Sequence, residues 1–153
     1  EHTRSKLLLN MINVFRQSES NLPYVGMIDL KSRDSKNILK NNIELIPNPT
    51  DELLNGLMKK AHICLAMAAN PSGVKLKLIN SLFNARFVIS NEAALTGSGL
   101  DSLVYIAEEN DLPDLIDKLM LKEFKQDEID ERNSLLSEKY NNLNNARQII
   151  AQL

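Results

Sequence analysis

The stretch from residue 63 to residue 89, ICLAMAANPSGVKLKLINSLFNARFVI, decides the fold. It opens and closes on short runs, Ile63–Met67 and Phe87–Ile89, that are apolar on both alternating sides. Such runs are typical of parallel strands that helices cover on both faces. Between them, apolar residues recur at helical spacing after a loop of small residues. The stretch therefore predicts a strand, a loop, a helix and a second, parallel strand.

The same alternation extends in both directions along the chain. Tyr24–Ile28, Ile43–Ile46 and Val104–Ile106 are predicted strands, and only Ile43–Ile46 is not apolar on both sides. Helices are predicted between them, with Thr50 or Asp51 as one N-cap and Asp111 as another. The sequence predicts one α/β domain over residues 1–153. It has a doubly wound, Rossmann-like, mostly parallel sheet with helices on both faces, and a helical tail from about 125 to 153.

The beginning of the chain departs from this pattern. Leu7, Leu8, Met11, Ile12 and Phe15 fall at helical spacing, so a helix precedes the first predicted strand. A unit of this kind normally opens on a central strand. We therefore expect that strand upstream of Glu1, in a domain truncated at its N-terminus.

Composition limits the classes of function. The net charge is -2, from 18 basic and 20 acidic side chains, without the basic excess of a nucleic-acid-binding protein. A single cysteine excludes an internal disulfide framework and a cysteine-rich zinc site. No apolar run approaches the roughly 18 residues of a membrane span, and no signal peptide opens the chain, so a cytoplasmic location is expected.

Ligands of open α/β sheets bind beyond the carboxyl ends of the strands. The loop from Ala68 leads there into a helix predicted to begin within two residues of Gly73. Lys75 and Lys77 then occupy its first turn without an acidic residue, which opposes the helix dipole and suits a bound anion such as phosphate. The apolar face, or arc, of this predicted helix is formed by Val74, Leu78, Ile79, Leu82 and Phe83. Lys75 falls on this apolar arc, so we expect Lys75 to reach into the crevice beyond the strand ends where ligands bind. In the alternative interpretation, both lysines are solvated and bind no ligand, and their aliphatic stems cover apolar surface.

Other candidates are weaker. Thr96 and Gly97 belong to a Thr-Gly-Ser-Gly stretch that lines a phosphate site or marks a turn. His62 has no companion at ligand spacing and is predicted to be structural, and Cys64 is predicted to be a buried, inert thiol. The glycine-rich fingerprints of phosphate loops and dinucleotide sites are absent.

The stretch from Gly73 to Ile89 resembles the donor-binding segment of group 1 glycosyltransferases of the GT-B fold. In that family a glycine precedes a lysine-containing helix, and a small residue and a strand follow it. The elements from Ile43 to Met67 resemble the strand, helix and strand before that segment, and the loop from Thr96 and the tail from Phe124 resemble the elements after it. The resemblance covers most of the chain.

This resemblance implies a C-terminal domain that binds a nucleotide sugar, with a missing N-terminal domain for the acceptor. Many members carry two glutamates with seven residues between them, one near the sugar and one on the ribose. Ser72 and Asn80 stand at those positions here, and Asn80 retains the capacity to hydrogen-bond ribose. The implied donor-binding residues are Ser72, Gly73, Val74, Lys75, Lys77, Asn80, Thr96 and Gly97.

The sequence leaves three functions open. The leading one is the donor half of a glycosyltransferase in polysaccharide or glycoconjugate biosynthesis, without a metal or other cofactor and inactive as this fragment alone. Its partners would be the nucleotide sugar and the acceptor domain, with membrane association of the whole protein possible and no nucleic acid. A non-catalytic binding or scaffold module of the same fold is the second. The third is a Rossmann-like enzyme of another class, such as a sugar-nucleotide epimerase, or an unrelated nucleotide-binding domain.

Overall fold

A computed structural model describes residues 49–151 and two earlier strands, residues 24–28 and 43–47. The strands are β1 (Tyr24–Ile28), β2 (Ile43–Pro47), β3 (Ile63–Leu65), β4 (Phe87–Ser90) and β5 (Tyr105–Ile106). The helices are α1 (Asp51–Lys60), α2 (Leu76–Asn84), α3 (Glu92–Leu95), a 3-10 helix (Asp101–Leu103), α4 (Leu112–Met120), α5 (Gln126–Lys139) and α6 (Asn142–Ile150). The helix predicted around Leu7–Phe15 lies outside the described residues.

The strands form two hydrogen-bonded groups, and every pair is parallel. β1 pairs with β2 from Tyr24 opposite Ile43 to Ile28 opposite Pro47, while β3, β4 and β5 pair in that order. This confirms an α/β arrangement with parallel pairing within each group of strands. The prediction was wrong about the end of β3, which stops at Leu65 rather than Met67. Beyond Leu65, side chains instead of a neighbouring strand take up the carbonyl groups of Ala66 and Met67.

Side chains that alternate along β4 divide the hydrophobic core into two clusters. Phe87 and Ile89 pack with Ile116 and Leu119 of α4. Val88, between them, packs with residues of α2 and α5 such as Leu82 and Leu136. Successive strand residues point to opposite faces, so helices cover both sides of the three-stranded sheet.

Most helix boundaries follow the predicted signals. The Thr50 hydroxyl accepts a hydrogen bond of 3.3 Å from the N–H of Leu53 and begins α1. Asp111 is the N-cap residue of α4, whose first turn accommodates Pro113. The predicted tail consists of α5 and α6, and α6 has no buried residue.

The prediction was wrong about the beginning of α2. The helix begins at Leu76, not within two residues of Gly73. Gly73 has a φ of 64°, a left-handed conformation that does not continue into a helix, and Lys75 is still extended at the N-cap position. Because the helix begins late, Val74 lies outside it and is 44% exposed. Phe83, which was also placed on the apolar arc, is 56% exposed because Leu78, Ser81 and Leu82 form the buried face.

Candidate functional site

The carboxyl ends of β3 and β4 are tied together by two buried polar side chains. The Ser90 hydroxyl donates to the carbonyl of Ala66 at 3.0 Å. The amide of Asn91 makes two hydrogen bonds with Ala68, accepting from its N–H at 3.0 Å and donating to its carbonyl at 2.8 Å. Both side chains are at least nine-tenths buried. They fix the direction in which the backbone leaves β3 and enters the loop before α2.

Asn91 also begins the next helix. Its Oδ1 accepts a hydrogen bond of 3.3 Å from the N–H of Ala94, which makes it the N-cap residue of α3. One side chain thus joins the loop after β3 to the segment after β4. No role was predicted for Ser90 or Asn91 from the sequence, although an asparagine directly between a buried strand and Glu92 is a recognisable N-cap signal.

Lys77 lies in the first turn of α2 and reaches back to the end of β3. Its ammonium donates a hydrogen bond to the carbonyl of Met67. Lys75, at the N-cap, donates to the carbonyl of Ser72 and lies 3.5 Å from the Ser72 hydroxyl. The spacing favoured Lys75 as the lysine that enters the crevice. The structure instead brings Lys77 against the strand end, because the helix begins later than predicted.

The N-terminus of α2 is positive. No side chain caps it, and no acidic residue lies in its first turn. Two ammonium groups therefore add to the partial positive charge of the first N–H groups, where helices usually carry Asp or Glu. Helices of this kind favour an anion at their N-terminus.

The loop before α2 is open to solvent. Ser72, Gly73 and Val74 are all exposed, and a Cβ added to Gly73 would meet nothing within 4 Å. They are followed by Lys75, which is half-buried, and by the first turn of α2 with Lys77. Asn80, one turn further along α2, is also exposed, and its carbonyl accepts from the Asn84 amide at 2.9 Å.

Thr96 and Gly97 lie in a second group, after α3. They line an open cavity of about 350 Å³ together with Glu92, Leu95, Gly99, Asp101 and Ile106. Two carboxylates in the lining oppose the binding of a phosphate there, which was one of the two roles predicted for this segment. The other, a turn, is confirmed: residues 96–98 form a turn in which Gly97 has a φ of 74°. Carboxylates accept hydrogen bonds from hydroxyl groups, so the cavity is better suited to a sugar or a ribose.

His62 and Cys64 have structural surroundings. The Nε2 atom of His62 is 2.9 Å from the carbonyl of Leu119, and its ring packs edge-on against Phe87. The Cys64 thiol lies 3.2 Å from the Ser81 hydroxyl. Burial raises its pKa, although Ser81 and the Lys77 charge act in the opposite direction.

Within residues 49–151 and the two earlier strands, no cluster of three or more His, Cys, Asp or Glu side chains could hold a metal ion. No helix of this part of the chain is long and apolar enough to cross a membrane. Comparison with protein families, with curated proteins and with solved structures finds no match.

Proposed function

We propose that this chain is the donor half of a glycosyltransferase, in which the N-terminus of α2 holds the diphosphate of a nucleotide sugar. The observation that carries this proposal is the position of Lys77, at an uncapped helix N-terminus directly beside the end of β3. In open α/β sheets this is the place where ligands bind. The resemblance of residues 73–89 to a glycosyltransferase donor segment selects the nucleotide sugar among anionic ligands.

The chemistry requires stabilisation of a departing diphosphate. As the bond between sugar and phosphate breaks, negative charge develops on the phosphate oxygens. Fixed N–H groups and an ammonium group stabilise such charge more in the transition state than in the substrate. Lys77 exchanges its bond to the Met67 carbonyl for a phosphate oxygen, and Lys75 supplies a second cation from the loop.

The remaining parts of the donor are assigned by hydrogen-bonding capacity. The exposed amide of Asn80 is suited to ribose hydroxyls. The cavity with Glu92 and Asp101 is suited to hydroxyl groups of the sugar, with Thr96 and Gly97 in its lining. Ser72, Gly73 and Val74 allow the ligand to approach the backbone closely.

The proposal extends to the rest of the protein. The sheet is doubly wound and Rossmann-like, the location is cytoplasmic, and transfer needs no metal. A separate N-terminal domain would bind the acceptor of a polysaccharide or glycoconjugate pathway and supply the catalytic base. The support for these points is the same resemblance, together with parallel strands and helices on both sides of β4.

A non-catalytic module of the same fold is the second candidate. One observation favours it: the two positions that carry glutamates in many members of the family are Ser72 and Asn80, and Lys75 engages the Ser72 carbonyl. Such a module would bind a nucleotide or sugar without transferring it.

Calorimetric titration with UDP, GDP and ADP and their sugars tests donor binding. We expect selective binding of one nucleotide, weakened about 10- to 100-fold by Lys77→Ala, because a charge-assisted hydrogen bond contributes about 1.5–3 kcal/mol. Lys75→Ala should have a smaller effect. Lys59→Ala, at an exposed position in the last turn of α1, is the matched control. Absence of binding at millimolar nucleotide by the folded protein would refute the proposal.

A further inference from the structure

Asn91 holds together two backbone segments that are distant in the sequence. Its amide accepts a hydrogen bond from the N–H of Ala68 at 3.0 Å and donates one to the carbonyl of Ala68 at 2.8 Å. The same Oδ1 atom accepts from the N–H of Ala94 at 3.3 Å. Both the donor group and the acceptor group of the amide are therefore used on the backbone. One side chain thus fixes the loop after β3 against the beginning of α3.

Each of these two segments leads directly to residues of the proposed donor site. On the side of β3, Ala68 follows Met67, whose carbonyl accepts a hydrogen bond from the ammonium of Lys77. On the side of β4, Asn91 precedes Glu92, which lines the cavity of about 350 Å³. Hydrogen bonds and peptide bonds between adjacent residues therefore connect Lys77 to the lining of the cavity without interruption.

The connection is buried. Asn91 and Ala68 are each only 8% exposed, and hydrogen bonds are stronger in such surroundings than in water. The last paired residues of the two strands are Leu65 and Ile89, and parallel neighbours lie about 4.8 Å apart. Asn91 continues this close spacing beyond the paired residues, into the two loops that leave the carboxyl ends of β3 and β4.

We propose that Asn91 is a positioning residue, which sets the distance between the N-terminus of α2 and the cavity so that one nucleotide sugar occupies both. This inference rests on the proposed function, in which the diphosphate lies at α2 and the sugar in the cavity. Two linked groups gain affinity from each other only if the geometry lets both bind at once. Asn91 supplies that geometry through Ala68 and Glu92 rather than by contact with the ligand.

A purely structural role for Asn91 leads to a different expectation. If its hydrogen bonds only stabilise the fold, a folded variant should bind a nucleotide and the corresponding nucleotide sugar with equally changed affinities. A positioning role affects the nucleotide sugar more, because a nucleotide without a sugar occupies only the site at α2. The ratio of the two dissociation constants therefore separates the two roles.

Calorimetric titration with UDP and UDP-glucose, GDP and GDP-mannose, and ADP and ADP-glucose tests the proposal. The first variant is Asn91→Ser, because a serine hydroxyl still caps α3 but is too short to bond both backbone groups of Ala68. We expect the nucleotide sugar to bind about tenfold more weakly, and the Kd of the nucleotide to change by less than about twofold. Ser90→Ala is the matched control, since it removes a buried hydrogen bond to Ala66 between the same strand ends and should leave the ratio unchanged.

Asn91→Asp is a second, milder variant. It retains the two accepted hydrogen bonds and loses only the donated one, so the ratio should change in the same direction by a smaller factor. Its added charge acts on the diphosphate that both ligands share, and that effect cancels in the ratio. Thermal unfolding of the same samples shows which variants are folded at the temperature of the titration.

The outcomes distinguish this proposal from the proposed function. Binding by the parent with an unchanged ratio in the folded Asn91 variants would refute the positioning role and leave the diphosphate site standing. An equal change of the ratio in Ser90→Ala would also overturn it, because that variant leaves Ala68 and Glu92 joined. No binding of any of these compounds by the folded parent would refute the proposed function together with the inference that rests on it.

Discussion

Substitution of Arg132 should destabilise the far end of the helix that carries the lysines. Arg132 is only 9% exposed, and its guanidinium reaches from α5 to the C-terminus of α2. It donates to the carbonyls of Leu82 at 3.3 Å, Ala85 at 2.5 Å and Arg86, and it lies 5.2 Å from the Phe124 ring centre. Leu82 lies in the last turn of α2 and Ala85 at its C-cap, where carbonyl groups have no intrahelical partners.

The expected magnitude follows from those bonds. A hydrogen bond from a charged group contributes about 1.5–3 kcal/mol, and three bonds from one guanidinium are not additive. We therefore expect Arg132→Ala to lower the free energy of unfolding by about 3 kcal/mol. In a protein of this size, that corresponds to a decrease in Tm of roughly 6–12 °C.

Thermal and urea unfolding followed by circular dichroism measure this loss. Arg132→Lys should be intermediate, because an ammonium cannot contact three carbonyls in the planar geometry of a guanidinium. Arg147→Ala, at an exposed position of α6, is the control and should change stability by less than about 0.5 kcal/mol. A decrease of Tm for Arg132→Ala no larger than that of the control would refute the reasoning.

Three further predictions concern other side chains. Asn91→Ala should lower stability by about 1–3 kcal/mol in urea unfolding, because the N–H and carbonyl of Ala68 lose their partners; an unchanged midpoint would contradict it. For Glu128, burial raises the pKa, but the ammonium of Lys122 at 2.6 Å and the Lys125 N–H hold it below its ordinary value. The ion pair therefore stabilises the fold at pH values above the ordinary glutamate pKa. The free energy of unfolding of the parent should exceed that of Glu128→Gln there, and this difference should disappear as the pH falls through the lowered pKa of Glu128. A difference that stays constant from pH 7 to pH 3 would contradict the prediction. Burial raises the pKa of the Cys64 thiol. This thiol should therefore react with Ellman's reagent more slowly in the folded protein than in the urea-unfolded protein. Equal rates would show that the thiol is accessible in the fold.

The α/β arrangement was predictable because parallel strands covered by helices have a strong sequence signal. Phe87–Ile89 and Ile63–Leu65 are apolar on both sides, and the structure places hydrophobic clusters on both sides of them. The cap at Thr50 was predictable for a similarly local reason, since a hydroxyl before Asp51 and Glu52 is sufficient to begin a helix.

The site was less predictable because its geometry depends on where a loop ends. Helical spacing counted from Gly73 favoured Lys75, but the left-handed backbone of Gly73 delays the helix to Leu76. That delay turns Lys77 toward Met67. The bonds between Asn91 and Ala68 join residues 23 positions apart, and spacing within one element does not reveal such contacts. Ser72 and Asn80 as donor contacts, and the glycosyltransferase activity, stay predictions.

The most direct test of the central claim is to map nucleotide binding onto the backbone amides by NMR titration with UDP, GDP and ADP. The account predicts that the largest shift changes occur at Ser72–Gly73 and Lys75–Lys77, at the N-terminus of α2, and that Lys77→Ala abolishes them at the same nucleotide concentration. Largest changes at α4 or α5, or none at any residue of the folded protein, would contradict the assignment of this helix N-terminus as a diphosphate site.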